Sequence, residues 1–580
     1  MRWSSGAWPD DKNVAVRNLT NFDPFLEVAQ GFWRHNTQPV NDRIILVEAM
    51  SQDLRVTLRN LTVANALRRI EPARLVVYSG ADEDWNQVVW TYFNLDEIRS
   101  MCQAYGAETV FDAHELVDQR VNGTAQELVV AGVDLGGELP ESGISQERFD
   151  QIVDATACRM IRVARLEDRP EHHNKREQVA ARSREFARVY EALIARNDVV
   201  ALVSSHVDYN NFGLAVEAAV RHDVPVLFPQ STGGLKSYAL FPGTFDKQGP
   251  IREGITEQVG RYFNEHVWGN RDLLRRSAEL TMWRAKATLG RPSWWRAGNT
   301  FSSIDLKGDR DRDVLRTYAG ERVGLDPTKP VVTMFNHAVS DALGTNHEAF
   351  EDLGSWLEKT VAFAAEHDEV GWLVLDHPQQ AMYDASEFFG RLASRYAEHD
   401  HIVFMPSMDL SKNFLTSLTD LVLTVRGSVS NEYPALGIPA LMAGWSEWSK
   451  CGFSTVAESE EEYFSLLGDF LEGLLSGRPL ITDEEVERAR LWAWFYRSGA
   501  DVASGLVQQW KVGEGNRLFD LLSVNMLEVE SDADPAFTAV RRMWKRKEAF
   551  LTRLDWTLPA DVLREQLAPV EDELVVRGEA

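Results

Sequence analysis

Short runs of β-branched and aliphatic residues, each breaking off into polar side chains before an amphipathic stretch, recur along this chain. Arg43-Ile-Ile-Leu-Val-Glu48, Arg74 to Tyr78, Glu108 to Phe111, Val199 to Val203 and Val224 to Phe228 form one series. Val331 to Phe335, Gly371 to Leu375, His401 to Met405, Leu421 to Val425 and Ala440 to Ala443 form a second. Runs this short and this apolar read as strands buried on both faces. The stretches between them, among them Leu54–Ile70, Ala180–Arg196, Tyr209–His222 and Phe350–Glu366, carry apolar residues at helical spacing. Alternating strands and helices build a parallel sheet covered by helices. With 580 residues the chain is too long for one core. The expectation is therefore an α/β protein of two Rossmann-like domains. An irregular arm covers residues 1–40, and the first domain covers 41–290. A linker follows at 291–328, where Gly, Pro, Ser and the pair Trp294-Trp295 interrupt the pattern. The second domain covers 329–458, and a wholly helical extension covers 459–580, including a helix over 501–511.

Parallel strands place ligands at their carboxyl ends, so the polar clusters that end the runs are the candidate sites. The densest lies in Thr419–Phe453. There the run Leu421–Val425 passes into Arg426-Gly427-Ser428-Val429-Ser430, and a helix is expected from Asn431-Glu432 through Leu436, stopped by Gly437. A strand, a Gly/Ser turn and a helix start expose backbone N–H groups and the positive helix end, which together attract an anion. Glu432 is placed to accept from a ribose hydroxyl. An ordinary βαβ unit with a Ser-rich cap fits the same residues. Comparable strand ends carry Ser204-Ser205-His206-Val207-Asp208, Asn336-His337-Ala-Val-Ser340-Asp341 and Asp376-His377-Pro378-Gln379. For His206 and Asp208, a hydrogen-bonded core histidine and a helix-capping aspartate stand as the alternatives.

Charge and cysteine content exclude several classes. A net charge of −27 argues against a nucleic-acid partner. The basic cluster Arg541-Arg542 with Lys545-Arg546-Lys547 reads as a solvated helix face. Cys102, Cys158 and Cys451 are widely separated, which indicates neither a disulfide framework nor a thiolate zinc site. Asp309, Asp311 and Asp313 lack the glycine and glutamate that an EF-hand loop requires, so they read as a helix cap and no metal is expected. The N-terminus has no signal-peptide core and no run is apolar enough to span a bilayer, so a cytoplasmic location is expected, extending to the inner face of the plasma membrane. Trp492, Trp494, Phe495 and Tyr496 read as core.

Taken in order, Asn336-His337-x-x-Ser340-Asp341, Trp372-Leu-Val-Leu-Asp-His377-Pro378 and Thr424-Val-Arg426-Gly427-Ser428 with Glu432, Gly437 and Pro439 resemble the C-terminal half of GT-B glycosyltransferases. The likeness is to the capsule and surface polysaccharide group, with its Kdo transferase-like and sialyltransferase-like enzymes that carry a His-Pro motif. Ser205-His206-Val-Asp208-Tyr209 with Ala218 to Pro225 is similar to the last unit of that group's N-terminal domain, and the likeness is carried by residues 200–460. The resemblance implies a GT-B-like fold, two Rossmann-like domains facing a cleft. It implies a nucleotide-sugar donor, a CMP-activated sugar being one option, and a polysaccharide or glycolipid acceptor. It also implies peripheral membrane or biosynthetic-complex association. In this reading His377, with Pro378 beside it, contacts the donor phosphate. Arg426, Gly427, Ser428 and Ser430 add contacts there, although Arg426 could instead be a structural ion-pair partner. Glu432 holds the ribose, and Asn336, His337, Ser340 and Asp341 line the cleft. His and Arg neutralise the leaving phosphate without a metal, and the base comes from His206, Asp208 or Glu48, with Asp208 preferred. Asp376 departs from the pattern, since a basic residue often precedes this histidine; its carboxylate must point away or orient His377. A polyol-phosphate transferase of the teichoic acid type, or a non-catalytic GT-B-like binding subunit, would use the same scaffold.

Overall fold

The structure is a computed structural model and describes residues 20–579 apart from 36–40, 52–53, 81–93, 125–128, 232–233, 245–248, 287–308, 342–343, 345, 379, 411, 497–499, 508–514 and 530–532. The Trp294-Trp295 linker segment lies outside the described residues. Ten of the expected strands form and fall into two sheets. The first contains β1 (Ile44–Ala49), β2 (Arg74–Ser79), β3 (Ala107–Asp112), β4 (Val199–Val203), β5 (Val226–Ser231) and β6 (Leu235–Leu240). The second contains β7 (Val331–Phe335), β8 (Gly371–Leu375), β9 (Ile402–Met405), β10 (Leu421–Thr424), β11 (Ala440–Met442) and β12 (Thr455–Val456). A last short strand, β13 (Phe550–Leu551), returns to the first sheet.

Strand order explains where the sites fall. The first sheet runs β13-β6-β5-β4-β1-β2-β3 and the second β12-β11-β10-β7-β8-β9. In the first, the chain winds outward from β1 in one direction and then resumes at β4 on its other side, in parallel with it. The second repeats this between β7 and β10. Each sheet thus has a topological switch point, where the connecting helices diverge and leave a crevice beyond the strand ends. The two Rossmann-like domains meet at those ends across a cleft, the GT-B-like arrangement. Tyr209 Oη of the first donates to Asp341 Oδ1 of the second over 2.9 Å.

Two expectations need correction. Residues 1–40 are not wholly irregular: Phe22–His35 is a helix, and Phe25, Ala29 and Trp33 are buried from it. Phe22, Phe25, Ala29, Phe32 and Trp33 follow a helical stripe that scattered aromatics disguise. The extension is also not wholly helical. Residues 501–507 form turns and a bridge from Val502 to Leu235, and β13 pairs antiparallel with β6 through Phe550 opposite Tyr238. β13 covers an edge that would otherwise expose unpaired backbone groups. Helix Gly515–Glu528 packs on Phe22–His35, with the Phe25 and Phe519 rings stacked at 4.9 Å. Helix Glu460–Ser476 packs within the second domain, where Tyr463, Leu467 and Leu471 join Trp356 in its core. Trp492, Trp494 and Phe495 lie in a core shared by the first domain and by Trp448, Cys451 and Phe453 of the second. Arg542 and Arg546 of the basic cluster pair with Glu548 and Asp555. No helix among the described residues is long and apolar enough to cross a membrane.

Because Phe25 is fully buried between the arm helix and the extension, Phe25→Ala is expected to lower unfolding free energy by about 3–5 kcal/mol. Leu527, largely exposed on helix Gly515–Glu528, provides the control, since Leu527→Ala should change stability by under about 0.5 kcal/mol. Urea denaturation of both variants checks this, and equal midpoints would contradict the packing role.

Candidate functional site

At the second domain's switch point, β7 hands over to Asn336 and His337, β10 to Arg426 and Gly427, and the neighbouring β8 to Asp376 and His377. Gln380 ties two of these ends together: its Oε1 accepts from Asn336 Nδ2 at 3.3 Å and from the His377 backbone N–H at 3.4 Å. The His337 and His377 rings lie face to face at 6.4 Å, and Tyr383 meets His377 edge-on at 5.7 Å. Burial, with the Arg426 charge nearby, pushes the His337 imidazole down to about 4, so it is neutral at physiological pH. Asp376 points away from the crevice, its Oδ1 accepting from the Ser407 N–H at 2.6 Å. Pro378 is exposed beside His377.

The Gly/Ser turn differs from expectation. Its helix is a single turn, Val429–Glu432, followed by a 3-10 turn at Pro434–Leu436 and Gly437 in the left-handed region. Pro434 supplies no N–H to continue the helix, and one turn has little macrodipole to offer an anion. Ser430 is a second correction. It is fully buried, its Oγ donating to Gly427 O at 2.8 Å and accepting from Trp448 Nε1 at 3.0 Å. A hydroxyl so engaged does not face a ligand. Gly427 leaves its N–H on Thr424 Oγ1 at 3.2 Å, where a Cβ would crowd that same oxygen at 2.8 Å. Ser428 stands at the helix start with its side chain capping nothing, and Glu432 is half-buried on the same turn. Arg426 is held by Asp341 O at 2.7 Å and by Glu348 at 2.9 Å. Ser340 Oγ donates to Tyr383 O at 2.7 Å, so it too serves the fold. Asn336 Oδ1 and both side-chain amide atoms of the fully buried Asn431 have no hydrogen-bond partner among the described residues.

The first domain supplies the opposite wall. Asp208, at the end of β4, is buried in a two-pronged pair with Arg252, whose Nε lies 2.7 Å from Oδ1 and whose Nη2 reaches Oδ2. Burial would raise the Asp208 carboxyl, but the Arg252 charge and hydrogen bonds outweigh it and hold the group below the ordinary range. A carboxylate so stabilised is a poor proton acceptor, which overturns the preference for Asp208 as base. His206 stands two residues before Asp208. Its Nδ1 lies 2.8 Å from Ser205 Oγ, and Ser205 in turn bonds Glu48. Burial lowers the His206 value. Directly after Asp208, Tyr209 takes φ 61°, a strained conformation for a non-glycine residue, and opens a π-turn over Tyr209–Gly213.

The loop Trp445–Phe453, which ends the stretch Thr419–Phe453, is a tie between the domains. Glu447 accepts from Tyr238 and approaches Arg252 at 4.0 Å, and Thr256 Oγ1 donates to Ser446 O at 3.3 Å. On the other side of the cleft Arg159 donates to Met382 O at 3.0 Å and lies over the Tyr383 ring. Arg159, Arg252 and Glu447 were not singled out from sequence, because none ends a strand; Tyr209, which follows the Ser205–Asp208 cluster, was given no role there.

No protein-family model matches the chain, and no curated protein matches it. Among solved structures it is similar to a putative UDP-N-acetylglucosamine 2-epimerase from Listeria monocytogenes, at 13% identity over 78% of this chain and 91% of that one, TM-score 0.29. It is also similar to UDP-GlcNAc 2-epimerase from Neisseria meningitidis bound to UDP-GlcNAc, at 10% identity over 82% and 98%, TM-score 0.26. The wall teichoic acid polymerase TagF matches at 9% identity over 88% and 94%, TM-score 0.22. The likeness stops at the fold, and these values carry no argument about activity.

Arg252→Met leaves Asp208 buried without its partner, and should destabilise by about 3–5 kcal/mol in urea unfolding; a loss under about 1 kcal/mol would show the pair to be solvated. His337 gives a pH test. An unfolded histidine titrates near about 6.5, and the folded value is about 4. The unfolded chain therefore takes up the proton first. Stability from neutral His337 is complete above the unfolded value and is lost as pH falls toward the folded one. Unfolding midpoints across that window should slope less in His337→Asn than in the parent, and parallel slopes would refute the buried neutral ring.

Proposed function

We propose that this chain is a glycosyltransferase of the capsule and surface polysaccharide type, moving a sugar from a nucleotide donor to a polysaccharide or glycolipid hydroxyl. The observation that supports it is the meeting of two switch points: His337, His377, Arg426 and Ser428 on one wall, His206 on the other, bridged by Tyr209 and Asp341. The donor lies against the second domain. His377 contacts its phosphate, with Ser428 and the Gly427–Ser428 backbone alongside. Neutral His337 contributes a hydrogen bond in place of a charge. Glu432 takes the ribose, and Asn336 and Asp341 line the sugar end. Leaving-group stabilisation then rests on hydrogen bonds organised before the reaction, because Arg426 is already matched with Glu348.

His206 is the base in this reading, since Asp208 is committed to Arg252. The acceptor enters from the first domain, and peripheral association with a membrane or a biosynthetic complex belongs to the same proposal.

The test is release of free nucleotide from CMP-, UDP-, GDP- and dTDP-sugars with oligosaccharide or glycolipid acceptors. One donor should be consumed, and His377→Ala should slow that reaction by roughly a hundredfold or more without loss of folding. No release from any donor would remove the reading. New phosphodiesters in the product would point instead to a polyol-phosphate transferase.

A further inference from the structure

A buried carboxylate, a serine and a histidine form an unbroken hydrogen-bonded line at the first domain's switch point. Glu48 ends β1 and is fully buried. Ser205 and His206 follow β4, the strand paired beside β1. Among the described residues, every group hydrogen-bonded to the Glu48 carboxylate is a donor: the Met50 N–H on Oε1, and on Oε2 the Ser205 N–H at 3.1 Å, Asn60 Nδ2 at 3.3 Å and the Ser205 hydroxyl. Ser205 has one hydroxyl proton, and it faces this carboxylate. The lone pairs of Ser205 Oγ are left for His206 Nδ1 at 2.8 Å.

We propose that Glu48 and Ser205 are positioning residues that hold neutral His206 with its proton on Nδ1 and its lone pair on Nε2, which makes Nε2 the proton-accepting atom of the transfer. The assignment follows from counting protons along the line. If Ser205 donates to Glu48, it must accept from Nδ1–H, and a neutral ring carries only one proton. The role as base rests on the transferase reading; the tautomer does not. In that reaction the acceptor oxygen forms a bond to the anomeric carbon. The bond from that carbon to the phosphate oxygen breaks, its electron pair leaving on phosphate, and the hydroxyl proton passes to Nε2. The imidazolium formed is balanced through Ser205 by Glu48. Phe212, with its ring 4.7 Å from His206, limits the ring's rotation.

The charged groups around His206 come from each element packed on it. Glu48 and Asp208 favour the protonated ring, whereas Arg252 and Arg59 oppose it. Removing the Glu48 charge should therefore shift His206 titration to lower pH.

Long-range proton–nitrogen correlation spectra of the full chain, labelled at histidine, read the tautomer directly. The chain has 13 histidines, so the His206 signal is identified by its loss in His206→Asn. The expected pattern is a protonated Nδ1 and an unprotonated Nε2 at neutral pH. Ser205→Ala should abolish that preference, and Glu48→Gln should lower the midpoint. An Nε2–H tautomer in the parent, or a pattern unchanged in Ser205→Ala, would overturn the relay. Ser205→Thr keeps the hydroxyl and should keep the tautomer, which separates the relay from a loss of packing. Nucleotide release is measured on the same samples. The expected tautomer without release sinks the transferase reading alone, and release with the opposite tautomer sinks the relay alone.

Discussion

A carboxylate buried where two domains meet must find a cation, and the Asp208–Arg252 pair is the constraint around which the cleft is arranged. Taking two charges out of water costs several kcal/mol, recovered only when geometry and further hydrogen bonds are good. Here the geometry is two-pronged, and the far side of Arg252 looks toward Glu447 of the other domain. Glu447 is itself half-buried and raised by desolvation, while Tyr238 donates to it and the Arg252 and Lys236 charges oppose the rise. A network that neutralises one domain's strand end thus also fixes the loop of its neighbour. Tyr209, one residue after Asp208, pays for its left-handed backbone by reaching Asp341 on the opposite wall.

The same constraint decides which polar residues remain for chemistry. Asp208 and Arg426 are the most conspicuous charges at the strand ends, and both have partners within the protein, Arg252 and Glu348. What lies between them is softer: His206, His337 and His377, with Ser428 at the turn. Burial lowers His206 and His337, which are therefore neutral at physiological pH, and neutral imidazole can donate from one nitrogen while accepting at the other. The site is suited to moving or sharing protons, and less to trapping a bare anion by charge alone.

Periodicity made the scaffold legible. Val199–Val203, Val331–Phe335 and Gly371–Leu375 stand where their apolar runs predict, because runs so short and so rich in β-branched and aliphatic residues suit strands buried on both faces. Helix Phe22–His35 and β13 were not legible, since each is defined by the partner it finds hundreds of residues away: Phe519 for Phe25, Tyr238 for Phe550. The site divided in the same way. Strand-end position marked His206, His337 and His377. It could not tell Ser428 from Ser430, the second of which is buried, donating to Gly427 O and accepting from Trp448. Nor could it show that Arg252, from a helix outside the motif, would take Asp208 out of contention as a base.

The orphaned amides sharpen this picture. Asn431 sits in the single helical turn after Ser428, fully buried, and Asn336 ends the adjacent strand β7. Between them they leave three side-chain atoms with no partner among the described residues. An unsatisfied buried polar atom costs roughly 1–3 kcal/mol, and a fold relieves that cost if a neutral apolar residue serves as well. Two such residues flanking one switch point, beside the neutral His337, concentrate hydrogen-bonding capacity where the charges have already been matched. Selection by such a wall rests on the pattern of donors and acceptors a ligand presents, because a ligand lacking them leaves the amides unsatisfied. Charge sets how the two domains hold together, and hydrogen bonding sets what they can hold.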